Sequence, residues 1–127
     1  MDTTVLVDVE RRAGDLDAVM ADDDDVAIAA VTVAELLVGV ALAGARQRPA
    51  RQAFVDDVLE AMPVLAYDAE VADAHAALLV ATRQAGRPRG AHDLIIAATA
   101  RATGRTVVTA DPSGFEGLPD VELARQG

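Results

Sequence analysis

The apolar positions along the chain change period several times, and each change marks an element. In VAIAAVTVAELLVGVALAG an unbroken apolar run, Val26 to Ala30, gives way at Thr32 to spacing that repeats every three to four residues. The first part reads as a short buried strand and the second as a helix ending near Gly44. RPARQAFVDDVLEAM puts Phe54, Val55, Val58, Leu59 and Met62 at helical spacing and stops before Pro63. PVLAY then reads as a second short strand. DAEVADAHAALLVATRQAG predicts a helix with Asp68 as N-cap and Gly86 as its stop. Beyond the loop RPRGA the pattern predicts a helix from about Ala91 to Ala102, Gly104 as its C-cap, RTVVTA as a strand and VELA as a short edge strand. At the amino end, propensity alone makes Thr3 to Val7 a strand.

Short strands alternating with helices of ten or more residues argue for an α/β fold: three layers, α/β/α, around a mostly parallel sheet of four to five strands. Functional loops in such a sheet lie beyond the carboxyl ends of its strands. Asp111 follows one strand and Glu35 opens the helix after another. Asp93 opens an otherwise apolar helix, and Asp2 stands at the start of the chain. These four acids, far apart in sequence, are candidates to converge on one edge of the sheet.

Composition narrows the function classes. The 127 residues fit a single domain, 1–127, and 52% apolar content makes it globular. Aromatics are 2% of the chain, so the core must be built from Ala, Val and Leu. No apolar run approaches the roughly 20 residues of a membrane span, and no export signal opens the chain. The absence of cysteine excludes disulfides and thiolate metal sites, and a cytoplasmic location is expected. Eleven arginines, no lysine and 21 acids give a net charge of −10, which excludes nucleic-acid binding through a generally basic surface. A chain of this charge that handles phosphates needs local arginines, bound cations or both. The run Asp22 to Asp25 reads as a solvated loop.

Each acid also has an ordinary reading. Thr32-Val33-Ala34-Glu35 is a capping-box sequence, in which Glu35 would reach back to the Thr32 amide. Asp93 suits a positive helix start, and Asp111 precedes the turn sequence Pro112-Ser113-Gly114. Asp2 reads as a terminal acid and Asp8 as a solvated or capping one.

In order along the chain, MDTTVLVD, TVAELLVG, GAHDLIIAATA and VVTADPSGFEGLPDVEL resemble the successive motifs of PIN-domain ribonucleases, above all the VapC toxins of bacterial toxin–antitoxin pairs. The resemblance runs from residue 2 to about 123. It implies a Mg²⁺- or Mn²⁺-dependent endoribonuclease cleaving structured RNA, a homodimer held inactive by a VapB-like antitoxin. Matched position by position, it places the family's acidic quartet on Asp2, Glu35, Asp93 and Asp111, and its supporting hydroxyls on Thr4 and Thr109. It also makes Thr4 to Glu10 a helix. The family's first strand runs up to the first acid, and here only Met1 precedes Asp2.

Such a quartet suits hard cations that keep several waters and take one or two carboxylates each. No nucleophilic side chain is required, so His92 as a general base is unnecessary, and His75 reads as structural. Arg11, Arg12, Arg87 and Arg89 flank the acids in sequence and are the candidate RNA contacts, because guanidinium binds phosphate in a bidentate way. Tyr67, Phe54 and Phe115 are too few and scattered for a base-stacking platform. A phosphorelay receiver domain would cluster aspartates in a similar fold but needs a lysine, which this chain lacks. An inactive PIN-like scaffold and a nuclease acting on DNA are the alternatives that stay open.

Overall fold

The computed structural model describes residues 1–12, 16 and 26–125, so the Asp22–Asp25 run lies outside the described residues. The first element is a helix, α1 (Thr3–Arg11), as the resemblance implies and propensity does not. Two features override the β-branched residues. Asp2 caps the helix by accepting from the Val5 amide, and Val5, Leu6 and Val9 fall on one face that is buried.

The chain continues through β1 (Ile28–Ala29), α2 (Ala30–Leu42), α3 (Arg48–Ala61), β2 (Val64–Leu65), α4 (Ala69–Ala85), α5 (Ala91–Thr103), β3 (Val107–Thr109) and β4 (Leu123–Arg125). Asp68 caps α4 by accepting from the Val71 amide at 3.0 Å, and Gly86 and Gly104 close α4 and α5 in the left-handed conformation that favours glycine. One expected boundary moves. α2 starts two residues before Thr32, with Ala29 as a cap that offers no side chain, because β1 runs into the helix without a loop. Thr32 is therefore inside the first turn and fully buried, and the capping box with Glu35 does not form.

Among the described residues all strand pairing is parallel. Ile28 and Ala29 align with Val64 and Leu65, while Val107, Val108 and Thr109 align with Leu123, Ala124 and Arg125. Among the described residues the α/β architecture thus carries its strands as two short ladders with helices packed against them. The core divides accordingly. One cluster joins Leu6 of α1, Ile28, Leu36 and Val40 of α2, and Val55 and Val58 of α3. The other packs α4 and α5 around Leu78, Ala97, Ala98, Val107 and Phe115.

The first two residues lie between the ladders. The Met1 ammonium donates to the Ala27 carbonyl at 3.0 Å, and the Asp2 amide donates to the Val108 carbonyl at 2.9 Å. Behind Met1 is a cavity of about 420 Å³, lined by Ala27 and Ala29 on one side and Val107 and Val108 on the other. Burial holds the Met1 ammonium below its ordinary pKa. Four apolar β-branched residues fused ahead of Met1 should fill this slot, pair with both strand edges and replace a buried charge with an amide. Melting should rise by about 5 °C over a Gly-Ser fusion of equal length. Equal melting of the two fusions would show that the slot does not accept a strand.

Candidate active site

Four elements bring the acids together. Asp2 ends the bridge between the ladders, Glu35 lies in the second turn of α2, Asp93 in the first turn of α5, and Asp111 just after β3. Asp2, Glu35 and Asp93 line one cleft of about 340 Å³, which Thr3, Asp8 and Arg11 also border. Asp111 adjoins it closely enough to act on Asp93. The Asp93 carboxyl is raised above its usual range, first by burial and then by the negative charges of Asp2, Glu35 and Asp111, with His92 opposing.

Asp2 is 1% exposed and fully engaged. Its Oδ1 accepts from the Thr4 hydroxyl at 2.6 Å, and its Oδ2 from the Thr109 hydroxyl at 2.7 Å. Each hydroxyl then accepts a backbone amide from the segment after β3: Thr4 from Ala110 and Thr109 from Asp111, both at 3.0 Å. The two threonines thus tie the carboxylate to the β3 end and orient it. Asp111 keeps a turn role as well, since its Oδ1 accepts from the Ser113 hydroxyl at 2.7 Å and from the Ser113 amide at 3.3 Å.

Glu35, freed from capping, accepts from the Thr3 hydroxyl at 2.9 Å. Its other oxygen lies 3.5 Å from Nδ1 of His92. Thr3 and His92 are therefore partners of Glu35 that local sequence patterns do not reveal. His75 is elsewhere, accepting from or donating to the Tyr67 hydroxyl at 2.9 Å with the rings edge to face.

Two glycines surround Asp93. A Cβ on Gly90 would sit 3.2 Å from its Oδ2, and a Cβ on Gly114 would fall inside contact with that oxygen and 3.0 Å from its Cγ. The turn carrying Gly114 is held in place by Arg89, which donates to the Gly114 carbonyl at 3.4 Å and the Glu116 carbonyl at 2.6 Å, and by buried Phe115. Of the other arginines named from sequence, Arg12 pairs with Asp8 at 3.2 Å, Arg11 borders the cleft and Arg87 is exposed.

Chemically the cleft offers carboxylates and hydroxyls, which is a donor set for a hard divalent cation. Among the described residues no three acids or histidines form a ready ligand cage.

The family model for the PIN domain matches residues 1–120. The plasmid stability protein StbB of Pseudomonas syringae pv. tomato is 37% identical over 124 residues, covering 91% of this chain and 89% of its own. The VapC ribonuclease Y4jK of Sinorhizobium fredii is 38% identical over 93 residues, 70% of this chain and 66% of its own. Among solved structures, a member of the VapBC family of toxin–antitoxin systems, VapBC-5 of Mycobacterium tuberculosis, superposes with a TM-score of 0.80 at 33% identity, covering 98% of this chain and 95% of that one.

Proposed function

Because the chain belongs to the PIN-domain family, we propose that it is the toxin of a VapBC-like pair, an endoribonuclease that cuts structured RNA with Mg²⁺ or Mn²⁺. The observation that carries this reading is the cleft itself: Asp2, Glu35 and Asp93 line it together with Asp8, Asp111 adjoins it, and burial, then the charges of Asp2, Glu35 and Asp111, raises the Asp93 carboxyl. Such a cluster is stabilised by a cation and has no nucleophile of its own.

Asp2, Glu35, Asp93 and Asp111 would hold the metal, directly or through its waters. When bound, it would neutralise the scissile phosphate and make a bound water acidic enough to attack. Thr4 and Thr109 fix the Asp2 carboxylate, and Thr3 fixes Glu35, so that these oxygens are oriented before substrate arrives. Arg11, at the cleft border, would meet phosphates, and exposed Arg87 remains a proposed contact.

A VapB-like antitoxin and a second copy of the chain are the proposed partners. Support comes from the exposed apolar side chains of α2, where Leu37 and Val38 are about half exposed and Leu42 is 82% exposed, with Leu59 of α3 also at the surface. No helix among the described residues is long and apolar enough to cross a membrane.

One assay tests the nuclease reading. A structured RNA and a DNA of the same sequence are incubated with the chain in Mn²⁺, in Mg²⁺ and in excess chelator. Cleavage of the RNA alone, present with metal and absent with chelator, is the expected result. Intact RNA under every condition would return the chain to a binding scaffold, and preferential cutting of DNA would change the substrate.

A further inference from the structure

A second groove has one lining residue, Arg11, in common with the acidic cleft. It has a volume of about 510 Å³ and lies between the end of α1, the turn joining α2 to α3, and the first turns of α3. Arg11, Arg46 and Arg51 line it, with Val9, Ala50 and Phe54 as its apolar side. Arg11 also borders the cleft that holds Asp2, Glu35 and Asp93, so one arginine lines both depressions.

We infer that this groove is the binding path for a single-stranded segment of RNA leaving the cleft, with phosphates on the three arginines and a base against Phe54. The inference rests on the nuclease reading and adds the route of the substrate. Charge is the first argument. On a chain of net −10, three of the eleven arginines meet around one groove in which Glu10 is the acid among the lining residues. A polyanion repelled by most of the surface is accepted there. Preorganisation is the second. Arg51 donates one guanidinium N–H to the Gly39 carbonyl at 3.1 Å, and neighbouring Arg48 donates to the Ala43 carbonyl at 2.8 Å, so both α3 arginines are braced against the end of α2. Each such bond uses one of five donors and leaves the fork able to take a phosphate. Shape is the third: a basic rim with one partly exposed aromatic on an apolar wall is what an unpaired nucleotide requires.

The path was not legible from sequence because Arg46 and Arg51 meet Arg11 only where the fold brings the start of α3 beside the end of α1. Arg89, by contrast, was a candidate by sequence position, and its guanidinium is occupied by the turn it holds.

The test measures binding of a 12-nucleotide oligouridylate to the full chain in excess chelator, across a range of salt, for the parent, Arg46→Ala, Arg46→Ala/Arg51→Ala and Arg46→Lys/Arg51→Lys. Each lost phosphate contact should reduce the logarithmic salt slope by about 0.7. The double alanine variant should therefore lose about 1.4, the single variant half of that, and the double lysine variant little. With metal, KM for RNA should rise about tenfold in the double alanine variant while kcat and the Mn²⁺-induced rise in Tm stay at parental values. Because Arg46 is exposed, its single variant gives a reading even if loss of Arg51 disturbs α3. An unchanged slope and KM in folded variants would overturn the inference. So would a 12-residue oligoglutamate that displaces the RNA and binds more tightly, which would make the groove a site for an acidic peptide. A chain that binds the oligonucleotide through these arginines yet cuts no RNA would leave the groove standing and remove the nuclease reading instead.

Discussion

Asp93→Asn is expected to lose about a thousandfold in RNA cleavage while melting no lower than the parent in the absence of metal. The loss corresponds to about 4 kcal/mol, within the several kcal/mol that a bound cation contributes to phosphoryl transfer. The retained stability follows from the position of the side chain. Burial and three neighbouring acids make the ionised form unfavourable in the fold, and asparagine removes that charge at nearly the same size. Asp93 also loses a favourable interaction with the start of α5, worth a few tenths of a kcal/mol, which partly offsets the gain. A pH series gives an independent reading. The folded carboxyl titrates above its unfolded value, so the fold holds that proton more tightly. Stability from this group is full below the unfolded pKa and is lost as pH rises through the raised one. In the metal-free parent, Tm should therefore fall across that window, and the asparagine variant should show a flatter profile. A variant that melts well below the parent at neutral pH would mean that Asp93 is a structural acid.

Gly114→Ala is expected to cost about 1–3 kcal/mol of stability, the range for forcing an extra carbon into a packed site. The backbone gives no reason for the loss, since Gly114 is not among the residues with positive φ, and alanine at a tolerant glycine position normally stabilises. The cause is contact: the new Cβ would collide with the Asp93 carboxylate, and the turn cannot retreat freely because Arg89 and Phe115 hold it. The cost should largely vanish in an Asp93→Ala background, where the oxygens are gone. In the parent background the displaced carboxylate should also weaken the response to Mn²⁺. Equal costs in both backgrounds, read from denaturant melts, would place the defect in the turn itself.

These two residues show where sequence was informative. The helix of Asp93 was readable from its apolar period, and so were Gly86 and Gly104 as stops, because each depends on neighbours within a turn or two. The four motifs in order led to the PIN family, which decided α1 against its own propensity. What local pattern could not supply was the effect of distant packing. Thr32-Val33-Ala34-Glu35 carries a capping signature, yet β1 enters α2 directly and buries Thr32 beyond the cap position. The strands proved shorter than their apolar runs because ladder length is set by the partner: VELA is strand only from Leu123, where it meets Val107. Gly114 read as an ordinary turn glycine, since its demand for space comes from a side chain 21 residues earlier. Thr3 and His92 bear on Glu35 only through the crossing of α1, α2 and α5.

The central claim is that these acids form one divalent-metal site, and calorimetric titration of Mn²⁺ into the metal-free chain tests it most directly. Parent, Glu35→Gln and Asp93→Asn are compared in parallel, each checked for a parental melting curve without metal. Saturable binding by the parent, weakened at least about tenfold in both variants, is the expected result. Binding of equal strength in all three, or none by the folded parent, would contradict it.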